Sequence, residues 1–443
     1  MVTYNMRFTF RGGIHVDEHK NTAGVSTEML PPPSEVSIPL SQHIGAPAHA
    51  LVKPGDRVLV GQKIGDVDGL GCPVHASVSG TVKALTEVFT PMGKKIENIV
   101  VENDFLDEIS PDVKPVEKKL SEFTAEEIIE RVREAGIVGM GGASFPTYAK
   151  IESAIGKAHT LIINCAECEP YITANHRLLL ENPMSVINGA KIIMKSLGIT
   201  KTYIAIEDNK LDAANKLEEM TVNSDMFDVK VMRTKYPQGD ERQLIYALLN
   251  KELPQGKLPA DVGVVIFNAE TCAAVYNSFS TGIPLVRRSV TVDGDCIKRP
   301  KNFFVPIGTR MSWLAECAGG LKKTPARIVS GGPMMGQAQW DPNAPVTKGT
   351  SAVLMLSKDS VYGAVDDPVC IRCGKCVRNC PMHLMPCYIA EASRNHDFDD
   401  CGKYGAMSCV ECGCCSYNCP AKVEIVQSIR VAKAELRRKN AKK

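Results

Sequence analysis

Cys370, Cys373, Cys376 and Cys380 stand two, two and three residues apart, and Pro381 closes the run. Cys409, Cys412, Cys415 and Cys419 repeat that spacing, closed by Pro420. Three thiolates on one tight loop can wrap a face of an iron–sulfur cubane and point backbone N–H groups at its sulfurs. The fourth is expected to begin the next helix, with proline ending the loop at a fixed φ. Cys-x2-Cys pairs also serve structural zinc. Such sites need only four ligands, and they predict neither the triplet nor the trailing proline. Cys414 interrupts the second run and leaves some ambiguity of register; it reads as a bystander. Cys387 and Cys401, between the runs, read as core cysteines or as extra thiols, the first being the expectation.

The chain holds 17 cysteines in 443 residues. A secreted disulfide framework would explain that number, but the opening MVTYNMRFTFRGG has no hydrophobic signal core, and eight cysteines fall in two tight groups. Metal binding in a reducing compartment is therefore expected. Lys plus Arg (52) nearly cancels Asp plus Glu (50), which gives no electrostatic reason to bind nucleic acid. No run of apolar residues is long enough to span a bilayer, so membrane association is expected to be peripheral.

Both cysteine runs resemble the bacterial two-cluster ferredoxin motif, in which the fourth cysteine of each run serves the other cluster. That resemblance implies one [4Fe–4S] cluster on Cys370, Cys373, Cys376 and Cys419. It implies a second on Cys409, Cys412, Cys415 and Cys380.

Upstream, residues 124–137 read as an amphipathic helix, with Thr124 as N-cap and Glu127 completing a capping box. The helix runs into Gly139-Met-Gly141-Gly142-Ala-Ser-Phe145-Pro-Thr147, a glycine loop able to bring backbone N–H groups against a phosphate. Residues 160–164 then form an apolar strand that ends in Asn164-Cys165-Ala-Glu167-Cys168-Glu169-Pro170. Polar groups at the carboxyl end of a strand mark the ligand site of an open α/β sheet. Residues 201–206 and 262–267 repeat the short apolar strand between helical stretches, predicting a parallel, doubly wound sheet. Cys165 and Cys168 form a Cys-x2-Cys pair that fits either a redox or metal role or two structural thiols, the latter expected.

The run GMGGASFPTYAK followed by NCAECEP resembles the flavin loop and acidic strand end of the 51-kDa NADH-oxidising subunit of complex I. The segments 236–241 (YPQGDE) and 268–271 (NAET) fall where that family has its other flavin-site segments. With the opening Phe10-Arg-Gly-Gly-Ile-His15 and the order of segments, the chain is similar from end to end to the RnfC family, the C subunits of the Rnf complex, which is the ion-translocating ferredoxin:NAD oxidoreductase. The resemblance implies FMN, held non-covalently near Gly139, Gly141 and Gly142, with Lys150 by its phosphate. It implies that Asn164, Glu167, Tyr236, Asp240, Glu241 and Asn268 line the isoalloxazine and ribityl regions, and that Phe145 and Glu169 contact NAD(H). Met140 stands where the complex I pattern has Arg, Ser144 replaces a Gly and Ala166 an acid. Those departures touch the individual residues more than the flavin.

The expected architecture is multidomain α/β and α+β. Residues 1–110 hold an N-terminal segment and a biotinyl/lipoyl-like barrel-sandwich domain. Between Ile64 and Val82 there is no lysine to carry a swinging arm, and Cys72 with His75 are too few for a metal site. Residues 120–275 form the FMN and NADH domain, 276–350 a soluble-ligand-binding β-grasp domain, and 358–443 the two-cluster ferredoxin-like domain. Gly331-Gly332-Pro333 reads as a simple turn, and the basic tail after Pro420 as a solvated helix end.

By resemblance, the chain is an electron-transfer subunit on the cytoplasmic face of the membrane that exchanges hydride with NAD(H). Its partners would be the other Rnf subunits, including a ferredoxin-accepting iron–sulfur subunit and integral membrane subunits that move Na+ or H+. Two alternatives stay open: a free-standing reductase of the cobalamin-reductase type, and a relay subunit with clusters but no working flavin site.

Overall fold

In the computed structural model, which describes residues 8–90, 93–361 and 367–441, the helix after Thr124 runs from Ala125 to Glu134. The Thr124 hydroxyl accepts from the Glu127 N–H at 3.2 Å, and the Glu127 carboxylate accepts from the Thr124 N–H at 2.8 Å. The helix stops three residues short of the expected 137 because Gly136 turns left-handed, with φ 63°. Val138 then bridges Pro146 and closes the glycine loop into a hairpin-like excursion.

Four strands, Thr160–Cys165, Thr202–Glu207, Phe227–Met232 and Val264–Asn268, form an all-parallel sheet. Their spatial order is third, second, first, fourth. Leu161 and Ile163 point into one core, shared with the helices Pro183–Leu197 and Ala269–Ser280. Ile162, Ala205 and Ile266 point into another, shared with Glu241–Leu249. Burial on both faces is why these strands read as unbroken apolar runs rather than alternating ones. A fully buried Ile or Leu in such a core contributes about 2 kcal/mol.

The strands of residues 35–103 make two small antiparallel sheets, of four and three strands, closed over one core that includes Val36, Ile38, Ile64, Val74 and Ile99. Residues 8–20 lie outside that sandwich. Phe8 bridges Met232 and Ile14 bridges Tyr236, so the segment covers the open edge of the parallel sheet instead. Residues 1–7 lie outside the described residues.

A six-stranded mixed sheet follows, with Arg287–Asp293 central and antiparallel to Lys301–Pro306, and the helix Met311–Cys317 packed on it. It recruits Glu28–Met29 from the N-terminal segment and Ala352–Leu356 from beyond residue 350. Residues 276–280 belong instead to the helix Ala269–Ser280, whose Val275 and Phe279 sit in the core of the parallel sheet.

In the cysteine region the elements at and just after each run recur 39 residues later. The turns Lys375–Arg378 and Cys414–Tyr417 begin at 375 and 414, and the helices Pro386–Arg394 and Ile425–Ala441 at 386 and 425. The left-handed residues recur too: Arg372 with Glu411, Gly374 with Gly413, and His383 with Lys422. Contrary to expectation, the fourth cysteine of each run does not begin the next helix, which starts six residues later, at Pro386 or Ile425. Each third cysteine sits instead inside a one-turn helix. Among the described residues no helix is long and apolar enough to cross a membrane.

Candidate functional site

The parallel sheet reverses its winding between Thr160–Cys165 and Val264–Asn268, and this is where open α/β sheets leave a crevice at their carboxyl ends. Asn164 and Asn268 end those two strands and pair in register across the reversal. Each side chain is fixed locally. Asn164 donates from Nδ2 to the Gly239 carbonyl at 2.8 Å and accepts from the Ala166 N–H at 3.0 Å. Asn268 caps the helix Ala269–Ser280 by accepting from the Glu270 N–H at 2.9 Å.

The glycine loop lies against this pair. A Cβ on Gly141 would come 3.3 Å from the Asn268 side chain, whereas one on Gly142, with φ 131°, would meet open space. Gly139 donates to the Phe145 carbonyl at 2.8 Å, which sets Phe145 at the far stem of the loop. The helix Thr147–Ala154 follows and carries Lys150, which pairs with Glu241 and lies 5.5 Å above the Phe267 ring. Asp240 caps Glu241–Leu249, accepting from the N–H groups of Arg242 and Gln243, and burial pushes its carboxyl up to about 6. The fold thus gathers Gly141, Lys150, Asn164, Asp240, Glu241 and Asn268 around the crevice. Backbone N–H groups, two fixed amides and one lysine suit a phosphorylated, hydrogen-bonding cofactor such as FMN.

Three further expected residues are committed to protein partners. The Glu167 carboxylate accepts from the N–H groups of Asn175 (2.8 Å) and His176 (3.2 Å) at the start of the helix Ala174–Glu181. Glu169 accepts from the N–H groups of Met334 (3.0 Å) and Met335 (2.8 Å), and burial pushes its carboxyl up to about 7. The turn Gly331-Gly332-Pro333 is therefore more than a turn: a Cβ on Gly332 would strike the Glu169 carboxylate. Tyr236 is buried, and its hydroxyl donates to the Cys412 carbonyl at 2.7 Å, tying the segment 236–241 to the second cysteine run.

Cys380 crosses from the first run to the second. It lines one apolar cavity with Cys409, Cys412, Cys415 and also Cys414, alongside Leu384, Pro386, Val426 and Ile429. Among the described residues no three His, Cys, Asp or Glu side chains converge closely enough to hold a single metal ion; five cysteines line the cavity instead. Backbone N–H groups already point at three sulfurs: Leu384 at Cys380 (3.4 Å), Glu411 at Cys409 (3.3 Å) and Val423 at Cys419 (3.4 Å). Several thiols around one apolar cavity, with N–H donors at Cys380 and Cys409, suit a polynuclear cluster. Cys370 and Cys373 are exposed, Cys376 is buried and Cys419 half-buried.

Three domain models match the chain: the RnfC barrel sandwich hybrid domain over residues 8–106, the Nuo51 FMN-binding domain over 132–277 and the SLBB domain over 289–338. The C subunit of the Na(+)-translocating ferredoxin:NAD(+) oxidoreductase complex of Acetobacterium woodii is 46% identical over 97% of each chain. The C subunit of the proton-translocating ferredoxin:NAD(+) oxidoreductase complex of Clostridium ljungdahlii is 43% identical over 97% of this chain and 94% of that one. Its counterpart in the ion-translocating oxidoreductase complex of Rhodobacter capsulatus is 40% identical over 98% and 85%. The chain belongs to the RnfC family. Membership makes it a subunit of an electron-transporting oxidoreductase complex, with an FMN-binding domain related to that of the complex I 51-kDa subunit. Its partners are the other subunits of the Rnf complex.

Several residues that position this Rnf subunit's crevice stand in no motif. Lys20 donates from Nζ to the carbonyls of Glu167, Glu169 and Ile172 at 2.7–2.8 Å and so shapes the acidic strand end. Lys348, wholly buried, donates to the Pro73 and Gly136 carbonyls and joins the barrel-sandwich tip to the stem of the glycine loop. Burial pushes its ammonium down to about 8. Nothing in the sequence around either lysine signals these roles. Gly12 and Gly13 do stand in a motif, within Phe10–His15, and they let the backbone approach Cys380 and Tyr236, where a Cβ would come within 2.6 Å of either carbonyl oxygen. Cys165 and Cys168 are held in protein surroundings whose burial raises both thiols well above their usual range, as structural thiols require.

Proposed function

We propose that the chain exchanges hydride with NAD(H) at FMN held over the crevice, and passes single electrons to two [4Fe–4S] clusters. The observation that carries this reading is the segment 236–241: Tyr236 hydrogen-bonds the backbone of Cys412 at 2.7 Å, while Gly239 accepts from Asn164 and Glu241 pairs with Lys150, so one short stretch touches both sites. FMN supplies a two-electron acceptor that can release electrons one at a time, which iron–sulfur clusters require. The chain's own part is positional. The loop of Gly139, Gly141 and Gly142 presents N–H groups, and Lys150 a cation, to the phosphate. Asn164, Asn268, Asp240 and Glu241 present polar groups to the rest of the cofactor, and Phe145 flanks the dinucleotide approach. Glu167 and Glu169 act at one remove, by fixing the strand end and the loop at Met334.

The cluster ligands are Cys370, Cys373, Cys376 and Cys419 for one centre, and Cys409, Cys412, Cys415 and Cys380 for the other. The cavity lined by Cys380 with the second run supports the crossed assignment. The C-terminal region is read as ferredoxin-like and residues 287–356 as a β-grasp unit that packs beside the flavin. The subunit works at the cytoplasmic face of the membrane, with Na+ or H+ moved by its membrane partners.

The test is an anaerobic NADH titration of the FMN- and iron-loaded protein, followed by visible absorbance. Bleaching of the flavin band at near-stoichiometric NADH, with partial loss of the broad cluster absorbance, is the expected result. Clusters reducible by dithionite but blind to NADH would sink the NADH site and leave a relay subunit.

A further inference from the structure

We propose that Lys20 is a positioning residue for the hydride-exchange site: its ammonium stands as a tethered cation in a cage of backbone carbonyls and holds the acidic strand end, residues 167–172, in place. This rests on the reading of that strand end as part of the exchange site.

The Lys20 Nζ donates to the carbonyls of Glu167 at 2.7 Å, Glu169 at 2.8 Å and Ile172 at 2.7 Å. An ammonium has three N–H donors, and all three are spent on one short loop. Of the carboxylates whose charge it feels, Glu207 pairs with Lys210 at 2.9 Å, and Glu167 accepts from the N–H groups of Asn175 and His176. The cation therefore serves carbonyls rather than a carboxylate. Convergent carbonyl oxygens repel one another, and a buried one left without a donor costs stability. A ring of carbonyls is also how proteins hold a bare monovalent cation.

The residues beside Lys20 grip the same loop. The Tyr171 N–H donates to the Glu18 carbonyl at 2.8 Å, and the His19 and Tyr171 rings stack with centroids 4.9 Å apart. Both residues are left-handed, with φ 47° and 69°. Side chains other than glycine adopt that conformation at a cost, and it persists where surrounding contacts hold it. The Glu169 carboxylate in turn accepts from Met334 and Met335, so the cation that fixes its carbonyl also sets the loop at Met334. On the hydride reading the FMN phosphate belongs to the glycine loop and Lys150, which are held instead by Phe145 and Glu241. Losing the Lys20 cation should therefore spare FMN and disturb the dinucleotide.

The experiment compares the FMN- and iron-loaded chain with Lys20→Ala. It reads FMN content, steady-state NADH oxidation by ferricyanide, and hydrogen exchange of the Met334 and Met335 amides. Lys20→Ala is expected to speed that exchange and to raise KM for NADH by about tenfold each, with kcat within about twofold and FMN retained. Propylammonium, which restores the missing stem and charge, or potassium, which is close to ammonium in size, is expected to reverse both effects. Tetramethylammonium at the same ionic strength should not, and the unmodified chain should ignore all three. Lys20→Met keeps the apolar stem without the charge and gives the same reading if the alanine variant folds poorly. Unchanged exchange and KM, equal rescue by tetramethylammonium, or loss of FMN together with NADH binding would overturn the positioning role. An unmodified chain blind to NADH would overturn the hydride reading, and the role of Lys20 with it.

Discussion

The first cysteine run and the second are the same backbone in opposite settings. Left-handed residues, one-turn helices and following helices recur 39 residues apart, because spacing, glycine and proline act within a few residues. The surroundings then part company. Ile14, Tyr236, Cys412 and Cys414 form one small buried cluster, and Met334 closes over Gly413, where a Cβ would meet its carbonyl oxygen at 3.0 Å. Cys370 and Cys373 meet solvent. One local design, repeated, thus yields an inner run packed against Tyr236 and an outer run whose first two thiols are exposed. Tertiary surroundings can differ sharply around one repeated ligand motif.

Removing a thiol tests this most strongly. By the crossed assignment, Cys380→Ser and Cys412→Ser empty the same inner centre, although they lie in different runs. Each is expected to remove about half of the bound iron, and the double variant to lose no more than either alone. Iron per chain and electron paramagnetic resonance check it; additive losses would mean that the runs do not cross.

The next largest effect is expected at Gly12, where φ is 75° and a Cβ would stand 2.6 Å from the Cys380 carbonyl oxygen. Gly12→Ala is expected to cost about 2 kcal/mol through strain and separation of the N-terminal segment from the inner centre. Chemical denaturation reads the loss. An unchanged midpoint would mean that the segment is not held there.

Tyr236→Phe leaves the Cys412 carbonyl without its donor and is expected to cost about 1–2 kcal/mol. The inner run should loosen and the outer one stay as it was. Hydrogen exchange of the amides of residues 409–415 against 370–376 separates the two, and equal loosening would erase the distinction.

The smallest effect is a pH slope. Burial raises the Glu169 carboxyl from 4.5 to about 7, so the folded chain holds its proton more tightly than the unfolded one. Its contribution is fully present below pH 4.5 and is lost as pH rises through about 7. Melting temperature against pH should show that decline, and Glu169→Gln should flatten it between those limits, with an overall loss from giving up one of the two N–H acceptors at Met334 and Met335. A parallel slope in both proteins would assign the titration to another group.

Much of the fold is legible in the sequence. The capping box of Thr124 and Glu127, the apolar strand at 160–164 and the cysteine runs all lie where the residues indicate. Each depends on neighbours close in sequence or on a periodicity that burial imposes. The first helix ends early at Gly136 because a glycine can turn left-handed there at little cost. The roles of Glu167, Glu169 and Tyr236 are not legible, since their partners stand 8, 165 and 176 residues away. A carboxylate that caps a helix and one that binds a ligand are written with the same letter.

Local chemistry alone determined that eight thiols would be presented in two matching loops, that a glycine loop would precede a helix, and that parallel strands would end in amides and acids. Tertiary packing alone decided which loop became the inner one, that Cys380 joins the thiols of the other run, and that residues 8–20 cover the edge of the parallel sheet and reach Cys380 instead of joining the sandwich. Spacing and φ preference act over a handful of residues, whereas burial and hydrogen-bond satisfaction are settled only when distant segments compete for the same surface.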